Sequence, residues 1–149
     1  MKKIIIIVIA LFILNNCGYT PIYSSKENNF YIEKISQKST SKLNSKIANK
    51  LKIFSNVNSE NIIQIEINSV KKIETTQKDN KGDPSRFQMI IELNINIISE
   101  NYNKTKTFSS DFNYSNDSNK FSLKQYEKEI EDTLISKLIE KSVIYLSDL

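Results

Sequence analysis

From Phe87 to Ile97 every second residue is apolar: Phe87, Met89, Ile91, Leu93, Ile95 and Ile97. A period of two belongs to a β-strand, whose side chains point alternately to opposite faces. Wound as a helix, the same residues would scatter around the whole circumference. Segment 86–98 is therefore a strand with one buried face. Gln88, Glu92, Asn94 and Asn96 occupy its other face, with Ile90 and Ile98 among them. A sheet with a single apolar face needs a cover, which restricts the chain to layered solutions.

The flanking segments supply more strands and the cover. Phe30–Ile35 has β character. Leu43, Ile47, Leu51 and Phe54 then recur at helical spacing, with Ser39 or Ser41 available as a cap. In 61–74, Ile63, Ile65 and Ile67 alternate with Gln64, Glu66 and Asn68, which predicts a second strand. The polar stretch TTQKDNKGDPS reads as a long loop. After the 86–98 strand, SENYNK turns the chain back into a fourth strand carrying Phe108, Phe112 and Tyr114, giving an antiparallel hairpin. A last helix has a capping-box spacing at Ser122-x-x-Gln125, with Phe121 and Tyr126 placed for a hydrophobic staple. Tyr126, Ile130, Leu134 and Leu138 continue its stripe to about Leu146. The expected fold is α+β: a two-layer sandwich, with a four-stranded, mainly antiparallel sheet covered on one face by two helices, in the order β-α-β-β-β-α.

Composition removes several functions. The chain has no His, a single Cys and only two Gly, Gly18 and Gly82. The usual general bases, zinc ligands and phosphate-cradling glycine loops cannot be assembled from that set. No pair of carboxylates stands out by spacing, so neither an enzyme nor a cofactor or metal site is expected. Without Lys2 and Lys3 the chain carries 19 basic and 17 acidic residues. That balance argues against a nucleic-acid partner.

The N-terminus places the protein. Lys2 and Lys3 precede an unbroken apolar run, Ile4–Leu14, of eleven residues. As a helix this run is about 16 Å long, roughly half of a bilayer's hydrocarbon core. It fits the core of a secretory signal peptide, residues 1–16. Leu14 stands three residues before Cys17, which resembles a bacterial lipobox. A lone Cys in a secreted chain has no internal disulfide partner, and acylation explains it. The expected organisation is a signal peptide at 1–16, a lipidated N-terminus and tether at 17–29, and one domain at 30–149. Several acyl chains on Cys17 make a stable membrane anchor where one would be marginal. Gly18 follows it. In bacterial lipoproteins an Asp at that place often signals retention in the inner membrane, so the resemblance implies the outer membrane.

Between Lys34 and Ser59 there are six Lys and no acid. Lys42, Lys46 and Lys50 stack on one helix face, where like charges repel. They are candidates for holding an anion such as a lipid phosphate. The plainer reading, which the Lys-rich composition favours, is a solvated face.

Cys17-Gly18-Tyr19-Thr20-Pro21-Ile22-Tyr23 resembles the Cys-Gly-aromatic-x-Pro-Leu-Tyr opening of mature LptE-type lipopolysaccharide-assembly lipoproteins. The order of elements through the body is similar too. The resemblance implies a partner and a role. Proteins of this type sit in the lumen of a large LptD-type outer-membrane β-barrel and assist lipopolysaccharide transport and assembly. The face with Gln88, Glu92, Asn94 and Asn96 suits a polar barrel interior; it suits water equally. Arg86 is the only Arg. A basic residue is frequent at the start of that strand in the family, and a guanidinium binds phosphate or carboxylate through two parallel hydrogen bonds. Arg86 is thus a candidate for lipid phosphate, for a barrel carboxylate, or for a structural role, with Lys120 a further candidate for the same anion. The alternative function is a lipid-anchored periplasmic binding module for a soluble ligand or another envelope protein.

Overall fold

The computed structural model describes residues 28–149. Four strands, β1 (Tyr31–Gln37), β2 (Ile62–Lys78), β3 (Pro84–Ile98) and β4 (Asn103–Ser115), form one sheet in chain order. Two helices, α1 (Lys42–Ile53) and α2 (Lys120–Ser147), pack on it. The fold is α+β in the order β-α-β-β-β-α. The sheet is mixed: β1 runs parallel to β2, and the other two pairings are antiparallel. A parallel pair cannot be joined by a tight turn, and α1 is the crossover.

The core lies between the sheet and the helices. Ile63, Ile65 and Ile67 of β2 and Met89, Ile91, Leu93, Ile95 and Ile97 of β3 are buried there. Ile47 and Leu51 of α1 and Leu134, Ile135, Leu138 and Ile139 of α2 close over them. The two helices run side by side in the same direction. Lys46 meets Glu131 and Asp132, and Lys50 meets Ser136.

Asn44, fully buried, joins α1 to the sheet. Its Oδ1 accepts from the Ser69 amide at 2.8 Å and the Ser69 hydroxyl at 2.5 Å. Its Nδ2 donates to the Ser39 carbonyl at 2.7 Å. Ser41 caps α1 by accepting from the Asn44 amide.

Three expectations change. The stretch predicted as a long loop is mostly strand. β2 runs to Lys78 and β3 begins at Pro84, so only 79–83 turn the chain. The turn is closed by Asp79, whose Oδ1 accepts from the Lys81 and Asp83 amides, and by Gly82 at φ +89°. Polar residues can extend a strand when a neighbouring strand supplies its hydrogen bonds. Secondly, α2 starts at Lys120 with Asn119 as its cap, accepting from the Phe121 and Ser122 amides. Ser122 therefore lies inside the first turn and closes no capping box. Phe121 is 77 % exposed and Tyr126 43 %, so no staple forms. Thirdly, Asn28, assigned to the tether, is buried in the domain. It donates to the Phe54 carbonyl, and its side-chain oxygen accepts from Ser147.

Candidate functional site

The face of the sheet away from the helices has no cover among the described residues, and its side chains form rows across three strands. The register places Glu66, Asn96 and Thr105 in one row and Asn68, Asn94 and Thr107 in the next. Val70, Glu92 and Ser109 follow, then Lys72, Ile90 and Asp111, then Glu74, Gln88 and Asn113. Amides and hydroxyls link the strands. Asn94 Nδ2 donates to Thr107 Oγ1 at 2.9 Å, and Thr105 Oγ1 to Asn96 Oδ1 at 3.0 Å. Gln88 Nε2 donates to Asp111 Oδ2 at 2.8 Å, and Lys72 lies 3.7 Å from Glu92. Cross-strand pairs of this sort stiffen a sheet while leaving much of their hydrogen-bonding capacity free.

Gln88, Glu92, Asn94 and Asn96 thus share one surface, half-buried among their neighbours. Glu66, Glu74 and Asp111 lie on the same face, so it is not a basic plate. The hollow bordered by Glu66, Asn68, Asn94, Asn96 and Thr105 is open and polar. This surface suits a wall of hydrogen-bonding groups better than an apolar ligand.

Arg86 is exposed at the hairpin end of β3, opposite Ser115 and Gln77. Lys120 stands at the first turn of α2, where its Nζ donates to Asn116 Oδ1 and to the Asp117 carbonyl, both at 3.1 Å. The α1 lysines lie on the other side of the molecule. Lys46 is bridged to Asp132 and, at 3.4 Å, to Glu131. Lys50 donates to Ser136 Oγ at 3.0 Å. Lys42 is exposed at the helix start. The three candidates therefore differ in surroundings: Lys46 is already neutralised, and only Lys42 extends freely into water among the described groups. The hydrogen bond to Asp132 and its negative charge raise the Lys46 pKa despite partial burial. The same contact holds the Asp132 carboxyl below its ordinary range. Cys17 lies outside the described residues.

Sequence reasoning missed the partners of these groups. Glu131 and Asp132 belong to the wet side of α2, and nothing local says that they face Lys46. Glu131 also takes Lys71 of β2 at 2.6 Å, so one carboxylate ties α1, α2 and the sheet together. Thr105, Thr107 and Asp111 did carry a signal. They alternate with Phe108 and Phe112, and so belong on the open face. Tyr114 of β4 was legible only as a core residue. Its hydroxyl donates to Glu127 Oε1 at 2.7 Å. Burial first, and then that carboxylate, push its pKa above the ordinary phenol range, so it stays protonated.

The α+β fold, with both helices on one side of a mixed sheet, is similar to that of several solved bacterial lipoproteins. The chain is similar to rare lipoprotein B from Shewanella oneidensis, with a TM-score of 0.52 and 14 % identity over 75 % of this chain and 94 % of that one. It is similar to a lipoprotein from Caulobacter crescentus, at 0.55 and 7 % over 76 % and 88 %. It also matches lipoprotein B from Nitrosomonas europaea, at 0.54 and 10 % over 83 % and 86 %. At such identities the likeness is one of fold. No protein family matches the sequence, and no curated protein does.

Proposed function

We propose that this chain is an outer-membrane lipoprotein of the LptE type, anchored through acylated Cys17, whose bare sheet face seats against the polar wall of an LptD-type β-barrel and assists lipopolysaccharide transport and assembly. The observation that carries the reading is the open face itself. Its rows of amides, hydroxyls and paired charges are complementary to the polar lumen of a wide barrel. Two supports stand beside it: the fold shared with solved lipoproteins, and the Cys-Gly-Tyr-Thr-Pro opening of the mature sequence. The hollows of the described surface are open, whereas a binding module for a small soluble ligand needs an enclosed, largely apolar pocket. Arg86 and Lys120, at the hairpin end, are among the groups available to an anionic partner there.

Site-specific photo-crosslinking in intact membranes tests the reading. A photo-reactive residue in place of Asn94 should capture a large outer-membrane barrel, while one in place of Lys137 on α2 should not. Equal capture from both positions, or none from Asn94, would refute it. Mass spectrometry of the mature N-terminus should find an acylated Cys17. An unmodified thiol there would remove the anchor from the proposal.

A further inference from the structure

The helices turn most of their apolar side chains toward the sheet, but between the end of α1 and the second half of α2 an apolar groove stays open to water. Its floor is Ile139 and Val143 of α2, and its wall is Ile53 and Phe54 from the last turn of α1. Lys50 donates to Ser136 Oγ at 3.0 Å across the far end. The groove holds about 400 Å³. Ile53 is 69 % exposed and Phe54 half-buried, so this wall gives up stabilisation that burial would supply. The near end is where the described chain begins. Buried Asn28 donates to the Phe54 carbonyl, and Ser147, one turn beyond Val143, donates to the Asn28 side-chain oxygen. Residue 28 therefore enters the domain at the open end of the groove.

We infer that the occupant of this groove is Pro21-Ile22-Tyr23 of the same chain, folded back so that Ile22 lies against Ile53 and Val143. Three arguments meet. The first is reach. Ile22 stands six residues before Asn28, a stretch that spans at most about 20 Å. Along α2 the groove from Val143 to Ser136 is about 10 Å long, so the strip reaches it with chain to spare. The second is chemistry. In residues 18–27 the apolar side chains all fall within Tyr19–Tyr23, and Ser24–Glu27 is polar. The polar residues suit the crossing through water, and Tyr23 brings an apolar body with a polar tip to the rim. The third is preparation. Pro21 fixes its own φ and keeps Thr20 extended, so part of the ordering precedes docking. A segment tethered this closely has an effective concentration in the millimolar range, which favours it over a free partner. Seating the strip shortens the free leash between Cys17 and the domain from eleven residues to four. An anchor at Cys17 then holds the helical layer near the membrane and leaves the polar sheet face unencumbered. The docking itself depends neither on the barrel partner nor on acylation.

Intramolecular photo-crosslinking in the full chain tests the inference. A photo-reactive residue in place of Ile53 should join residues 21–23 of the same chain, identified by peptide mass spectrometry in a product that migrates as a monomer. One in place of Lys124, about 34 Å along α2 from Ser147, lies beyond the reach of that strip and should not. Urea unfolding of the protein extracted in mild detergent gives a second reading. Ile22→Ser and Ile53→Ser should each lower the folding equilibrium constant about tenfold. The double variant should fall little further than either alone, because both substitutions remove the same contact. A crosslink from position 53 to a lipid, a second copy or another protein, with none to residues 21–23, overturns the inference. So does an Ile22→Ser variant as stable as the wild type, or a double variant whose loss is the sum of the two single losses.

Discussion

Replacing Asn44 with Leu keeps the volume of a fully buried side chain and removes every polar contact that it makes. The Ser69 amide and hydroxyl lose their shared acceptor, and the Ser39 carbonyl loses its donor. Ser69 is itself 9 % exposed, so water cannot easily replace Asn44 there. Ser39 is exposed, and its carbonyl can turn to solvent. Two hydrogen bonds at about 1 kcal/mol each, plus about 1 kcal/mol for stranding the Ser69 amide, give a loss of about 3 kcal/mol. That is a large share of the 5–15 kcal/mol typical of a domain. Urea unfolding followed by circular dichroism measures it, with an unchanged m-value showing that the unfolded state is the same. Ser69→Ala removes only the hydroxyl and should cost about 1 kcal/mol. The double variant should cost less than the sum, because the two side chains share a bond. A loss below about 1 kcal/mol for Asn44→Leu would show that Asn44 does not fasten α1 to β2.

Two further outcomes follow from the geometry. Gly82→Ala should destabilise the hairpin by about 1 kcal/mol, purely through its positive φ, because an added Cβ meets no atom within 4 Å; thermal unfolding should show a small drop in Tm. The Lys46 ammonium lowers the Asp132 pKa, so the folded state takes up that proton less readily than the unfolded state. The pair's stabilisation is therefore present above the ordinary carboxylate value of about 4 and is lost as pH falls through the lower folded value. Asp132 is 45 % exposed, so solvent limits this to about 1 kcal/mol or less. Asp132→Asn should flatten the acid limb of the stability profile by that amount and leave the profile near neutrality parallel to the wild type.

The alternation in β2 and β3 was readable because burial of one sheet face forces a period of two, and nothing distant changes that period. The α1 and α2 stripes were readable for the same reason at a period near 3.6. The polar ends of β2 and β3 were not. Thr75, Thr76 and Gln77 bury nothing, so no hydrophobic pattern marks them, and they are strand only because residues from Pro84 to Gln88 pair beside them. The start of α2 was missed because two capping signals compete. Asn119 acts first and leaves Ser122 inside the helix. Of the candidate site, Gln88, Glu92, Asn94 and Asn96 could be placed on one face from β3 alone. Their partners Thr105, Thr107 and Asp111, and the pairing of Lys46 with Asp132, rest on register and helix packing.

Local chemistry alone thus decided which residues turn inward and, through their period, the type and order of the strands and helices. The tertiary structure decided the rest. It set β1 parallel to β2 and stopped it at Ile67, and it left the upper half of β2 open. It also brought Glu131 between Lys46 and Lys71, residues 25 positions apart in the chain. The physical reason is that a side chain's periodicity reports only whether it meets water or the core. Which neighbour it meets depends on segments that the chain brings together only once it has folded.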